Sequence, residues 1–87
     1  MEEIYLDNAA TTRVDDRVVR HIQKYFTDEY GNPGSLNKKG FKARDALEES
    51  RENTARILKC KSSEIIFTSG GTESVNLAIQ GIARANK

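Results

Sequence analysis

Hydrophobic and polar residues alternate with different periods along this chain, and the changes of period mark its elements. Ile4-Tyr5-Leu6 is a short β-prone run closed by the turn formers Asp7 and Asn8. The stretch Ala9-Ala10-Thr11-Thr12-Arg13 has no period and reads as an extended arm. From Asp15 onward, Val18, Val19, Ile22, Tyr25, Phe26 and Tyr30 recur at helical spacing. Asp15 suits the N-cap and Asp16 the positive end of the helix dipole. Gly31 is expected at the C′ position, and Pro33 blocks resumption of the helix. Residues 31–35, Gly-Asn-Pro-Gly-Ser, form a turn-rich loop. A second helix is expected over about residues 36–59, with a thin, alanine-rich apolar stripe. Gly40 weakens its first turn, while Arg44 with Glu48 and Glu52 with Arg56 have the i,i+4 spacing of supporting ion pairs.

Beyond a polar connector, Ile65-Ile66-Phe67 is apolar without alternation, the pattern of a strand covered on both faces in a parallel sheet. A last helix over about residues 72–85 carries Val75, Leu77, Ala78, Ile79, Ile82 and Ala83, apolar around more than half its circumference. A buried parallel strand needs neighbours, and Ile4-Tyr5-Leu6 is the only other strand candidate. The pattern therefore reads as the front part of a larger α/β protein.

Composition supports this reading. At 87 residues with 37% apolar and 31% charged residues, the chain is too short and too polar for a full core of its own. The 14 basic and 13 acidic side chains leave a net charge of +1, with no block of one sign. Lys38, Lys39, Lys42 and Arg44 are offset by Asp45, Glu48, Glu49 and Glu52, so no nucleic-acid or membrane footprint is expected. Cys60 is the single cysteine and cannot form an internal disulfide. No apolar run reaches transmembrane length, and Met1-Glu2-Glu3 is unlike a signal peptide, so a cytoplasmic location is expected.

The chemistry lies in residues 64–74, Glu-Ile-Ile-Phe-Thr-Ser-Gly-Gly-Thr-Glu-Ser. A strand, a Gly-Gly turn and a helix start in succession form an anion site, usually for phosphate. Glycine admits a close approach and a sharp turn, the first helical N–H groups lack internal partners, and Thr72 adds a hydroxyl. No metal-ligand spacing is present. His21 sits beside Val18 and Ile22 with no partner or motif, and reads as structural, as do Cys60 and the aromatic residues of the helical stripe.

Three phrases in order carry a family resemblance. They are Tyr5-Leu6-Asp7-Asn8-Ala9-Ala10-Thr11-Thr12, then Tyr30-Gly31-Asn32-Pro33-Gly34-Ser35, then residues 64–74 followed by Asn76-Leu77-Ala78-Ile79. Together they resemble the amino-terminal part of the cysteine desulfurases, pyridoxal-phosphate enzymes that supply sulfur for iron–sulfur clusters. The resemblance implies an α/β, fold-type-I transferase working as a homodimer. Residues 1–35 would be its arm and first helix with the Gly-Asn-Pro loop, and residues 36–87 the start of the large cofactor-binding domain. It also implies that Gly71 and Thr72 hold the phosphate of pyridoxal 5'-phosphate. L-cysteine would give L-alanine and an enzyme persulfide, passed on to a scaffold or acceptor protein.

The family's cofactor-linked lysine, ring-stacking histidine, pyridine-nitrogen aspartate and persulfide cysteine match no position here, Lys87 and Cys60 included. No catalytic residue is therefore assigned, and the 87 residues alone are expected to be inactive. Asn37 stands where many relatives carry histidine, which bears either on the active-site mouth or on nothing more than a variable surface. The small residues of the Asn8-Ala9-Ala10-Thr11 arm would leave room for substrate, or simply pack tightly. A selenocysteine lyase or other class V enzyme shares the phosphate motif. A truncated, partner-binding protein and an unrelated phosphate-binding domain are the readings of a different kind.

Overall fold

The computed structural model describes residues 2–86. Three helices follow one another: α1, Asp16–Phe26; α2, Lys38–Leu58; and α3, Gly71–Ala85, with a single 3₁₀ turn, Ser62–Glu64, between the last two. The chain divides into two compact units, Met1–Glu48 and Glu49–Lys87, with the boundary inside α2.

In the first unit the arm is pinned by a tyrosine. The Ala10 amide donates to the Asp7 carbonyl at 3.0 Å, closing a turn. The Tyr5 hydroxyl reaches the carbonyls of Asp7 and Thr11 at 2.8 and 3.1 Å. Residues 4–6 therefore form no strand ladder, because the arm folds back on itself. α1 begins as its capping residue requires. Asp15 is extended, and its carboxylate accepts from the Arg17 amide at 2.8 Å. The Arg17 guanidinium grips both Asp15 carboxylate oxygens at 3.0 and 2.9 Å. These guanidinium and amide bonds hold the Asp15 carboxyl below its ordinary range and raise the Arg17 guanidinium.

α1 stops at Phe26 rather than at Tyr30. The Glu29 amide closes onto the Lys24 carbonyl at 2.7 Å, and the two side chains pair at 3.6 Å. Tyr30 leaves the apolar stripe to lie under the Lys39 ammonium, 4.1 Å from its ring centre. Gly31 is not a left-handed C′ residue, since no described glycine lies in the left-handed region. It is a contact point instead: a Cβ there would overlap the Lys39 carbonyl. The next turn is a Pro-containing β-turn, with the Ser35 amide on the Asn32 carbonyl at 2.9 Å and the Gly34 amide on Asn32 Oδ1 at 2.9 Å. Arg44 ties the loop to α2 by donating twice to the Pro33 carbonyl, at 3.1 and 2.9 Å, rather than serving only a charge on its own helix.

Asn37 caps α2: its Oδ1 accepts from the Gly40 amide at 2.8 Å. Gly40 is buried, and a Cβ there would overlap the carbonyls of Ser35 and Asn32. The glycine that weakens the first helical turn is thus what lets the loop close over it.

In the second unit α2 ends in a Schellman motif. Lys59 takes the left-handed conformation (φ 56°), the Lys59 amide bonds the Arg56 carbonyl at 3.3 Å, and the Cys60 amide bonds that of Ala55 at 3.0 Å. Ala55, 3% exposed, is the buried apolar residue of the described core. Cys60, half-buried, closes the motif with its backbone amide. The Glu64 carboxylate accepts from the Lys61 amide at 2.8 Å, and the Glu64 amide bonds the Lys61 carbonyl at 2.9 Å, closing the 3₁₀ turn.

Ile65 is extended (φ −95°, ψ 124°) and opens an irregular stretch that runs to Thr68. No ladder partner for it lies among the described residues. Ile66 is 68% exposed, and Phe67 packs under the Arg51 guanidinium at 5.1 Å. The buried strand expected at Ile65-Ile66-Phe67 is not formed among the described residues, because the covering layers that its sequence implies are not there. Along α3, Val75, Leu77, Ile79 and Ile82 are likewise uncovered.

Candidate functional site

The Gly-Gly turn and the first turn of α3 form the site. Gly70 is the N-cap, extended at φ 165° and ψ −177°, a conformation open to any residue. Neither Gly70 nor Gly71 lies in the left-handed region, so conformational strain does not explain the glycines. The protein's own packing does not require them either: a Cβ built on either would meet no atom within 4 Å, leaving the backbone bare on its open side. No side chain caps α3 at Gly70. The first intrahelical bond runs from the Ser74 amide to the Gly70 carbonyl at 3.1 Å, so the amides of Gly71, Thr72 and Glu73 precede the helix's own hydrogen bonding.

Both sequence-assigned residues are therefore brought together: Gly71 and Thr72 are the first two residues of α3. The Thr72 carbonyl accepts from Asn76 Nδ2 at 2.8 Å. The Thr72 hydroxyl takes part in none of the hydrogen bonds among the described residues and is exposed. Three outward amides, a hydroxyl and the positive end of a 15-residue helix suit a compact dianion such as a phosphate monoester. Glu73 Oε1 accepts from the amide of Ser69, the residue before the N-cap, at 3.3 Å.

Two residues of the site were not singled out from sequence. Thr68 Oγ1 lies 3.1 Å from the Gly70 carbonyl and 2.6 Å from Ser74 Oγ. Their six-residue separation across a turn follows neither helix nor strand period, so no periodicity reveals the contact. His21, expected to be structural, stacks at a tilt on Tyr25 with ring centres 5.9 Å apart. No cluster of three metal-ligating side chains occurs among the described residues. No helix is long and apolar enough to cross a membrane. Lys87 lies outside the described residues.

A connection that runs through two glycines into a helix start without a capping side chain is one that α/β proteins also use. Residues 4–87 match the aminotransferase class-V family, and the chain belongs to it. It is 48% identical over 83 residues to the cysteine desulfurase IscS of Dictyoglomus turgidum, covering 95% of this chain and 21% of that protein. It is 46% identical over 87 residues to the putative cysteine desulfurase IscS 1 of Bacillus subtilis, covering 100% and 23%. With the cysteine desulfurase IscS of Rickettsia felis it shares 50% identity over 82 residues, covering 93% and 20%. Among solved structures, a NifS-like protein superposes with a TM-score of 0.84 at 42% identity, covering 90% of this chain and 21% of that one. The helices and connections described above are thus part of the fold-type-I α/β architecture. The chain spans about a fifth of the length of the relatives it matches.

Proposed function

We propose that this chain supplies the cofactor-phosphate site of a cysteine desulfurase. In that reaction L-cysteine and an enzyme thiol yield L-alanine and an enzyme persulfide, whose terminal sulfur goes to an acceptor or scaffold protein for iron–sulfur cluster assembly. The observation that carries the reading is the start of α3. Gly71 and Thr72 stand at a helix terminus whose N-cap residue, Gly70, offers no capping side chain, in a chain 46–50% identical to three desulfurases.

Pyridoxal 5'-phosphate, when bound, supplies the electron sink for the chemistry at the amino acid. The part of this chain is to anchor its phosphate. The Gly71, Thr72 and Glu73 amides and the Thr72 hydroxyl donate to phosphate oxygens, and the bare Gly70-Gly71 backbone admits the group to contact distance. Residues 1–35 serve as the arm and first helix, and residues 36–87 open the cofactor domain. The Asn8–Thr11 turn, held by Tyr5, borders the substrate. Asn37 acts as the cap of α2. The working enzyme is a cytoplasmic homodimer.

The test is turnover by the full-length native protein with pyridoxal phosphate, L-cysteine and a reductant. Equimolar protein-dependent sulfide and alanine are expected, with no turnover by the 87-residue chain alone. Turnover confined to selenocysteine would assign a selenocysteine lyase instead. Absence of any turnover on either substrate would overturn the enzymatic reading in favour of a partner-binding role.

A further inference from the structure

We propose that Thr68 and Ser74 are positioning residues that lock the Gly70–Gly71 peptide in the orientation that aims the Gly71 amide at the phosphate. The inference rests on the phosphate-site reading above and adds two residues to it.

Proton counting orders the contact. A hydroxyl has one proton to give. The Thr68 hydroxyl donates to the Gly70 carbonyl at 3.1 Å, so the 2.6 Å contact is Ser74 Oγ donating to Thr68 Oγ1. The Gly70 carbonyl also accepts the Ser74 amide at 3.1 Å. Both of its lone pairs are thereby used, and a closed ring runs from the Ser74 hydroxyl through Thr68 to Gly70 and back along the Ser74 backbone. A planar trans peptide carries its C=O and N–H on opposite sides. Fixing the Gly70 carbonyl toward Thr68 and Ser74 therefore directs the Gly71 N–H the opposite way, out of the helix terminus.

The lock has work to do because both flanking residues are glycines. Neither contributes a Cβ that resists rotation of the shared peptide, and nothing lies within 4 Å of where either Cβ would stand. A flipped peptide would present the Gly70 carbonyl to the phosphate, replacing an attractive dipole with a repulsive one. The same bareness that admits the ligand thus leaves the Ser74 amide bond as the helix's own restraint on this peptide, and the hydroxyl pair adds a second. Thr68 is half-buried, whereas Ser74 is exposed.

The experiment uses the full-length native protein with Thr68→Val, Ser74→Ala and the hydroxyl-preserving Thr68→Ser. Amide hydrogen exchange across residues 69–74 is measured in the cofactor-free protein, and pyridoxal phosphate affinity by titration. Thr68→Val and Ser74→Ala are expected to speed exchange of the Gly71 amide region and weaken the cofactor about threefold to tenfold, the range of one net hydrogen bond. Thr68→Ser should restore both. Unchanged exchange and affinity in Thr68→Val and Ser74→Ala, with the wild type binding normally, would overturn the lock and leave the phosphate site standing. Faster exchange with no loss of affinity would also overturn it, since the peptide's orientation would then not matter to the ligand. If wild-type protein binds pyridoxal phosphate no better than pyridoxal, the phosphate site itself falls and the proposal with it.

Discussion

At the residue scale, the glycines of this chain do three different jobs. Gly31 and Gly40 are where backbones meet: a Cβ on Gly40 would overlap two carbonyls. Gly→Ala in a helix ordinarily gains about 0.5–1 kcal/mol. In Gly40→Ala the overlap is expected to outweigh that gain, destabilising by about 1–3 kcal/mol, as read from the urea midpoint of the full-length protein. Gly81 has open space around it in α3, so Gly81→Ala should raise the helicity of the 87-residue chain by circular dichroism. Gly71 belongs to neither case. Gly71→Leu should leave α3 intact yet weaken pyridoxal phosphate binding by about tenfold or more, equivalent to about 1.4 kcal/mol. An unchanged affinity would show that the ligand does not approach this backbone. Lys59 is the reverse case, a side chain held at φ 56° where glycine is at ease. Lys59→Gly is expected to stabilise the end of α2 by up to about 1 kcal/mol, measured by exchange of the Cys60 amide.

At the element scale, the sequence pattern gave α2 and α3 nearly to their ends and the start of α1 at its cap. Asp15 was legible because capping is a local exchange between one side chain and the next few amides. The end of α1 was not. Gly31 carries the signature of a helix stop, but the close approach to Lys39 that requires it comes from a residue eight positions along. Asn37 was read either as a group at the active-site mouth or as a variable surface position; its capping role was not legible, because it shows only once the Gly40 amide is seen on it. The Asp15 cap also makes a pH prediction. Its carboxyl titrates below the ordinary range when folded, because the charged form is bound by Arg17. Its contribution is thus complete above the unfolded carboxylate value, about 3.9, and is lost as pH falls through the lower folded value. The helicity of α1, followed by amide chemical shifts, should hold steady down to that region and then fall. In Asp15→Ala it should be lower throughout and lack this step.

At the scale of the whole molecule, the main feature is how little apolar surface the described residues cover. Ala55 is buried, while Ile66, Val75, Leu77, Ile79 and Ile82 around α3 are not. The sequence announced this, since a continuous apolar run and an all-round apolar helix both ask for neighbours. What it did not reveal was how the extended segment would stand without a ladder: Ile65 keeps strand dihedrals, held by the 3₁₀ turn before it. The 87-residue chain alone is therefore expected to unfold in urea over a broad, weakly cooperative range. A sharp two-state transition would mean that the exposed faces find cover of their own.

The most direct test of the phosphate-site reading is a titration of the full-length native protein, followed by amide chemical shifts, with pyridoxal phosphate and in parallel with pyridoxal. Large shifts of the Gly71, Thr72 and Glu73 amides with pyridoxal phosphate, and none of comparable size with pyridoxal, are expected. Binding that leaves these three amides unmoved, or that does not distinguish the two ligands, would contradict the assignment of the α3 terminus as the cofactor-phosphate site.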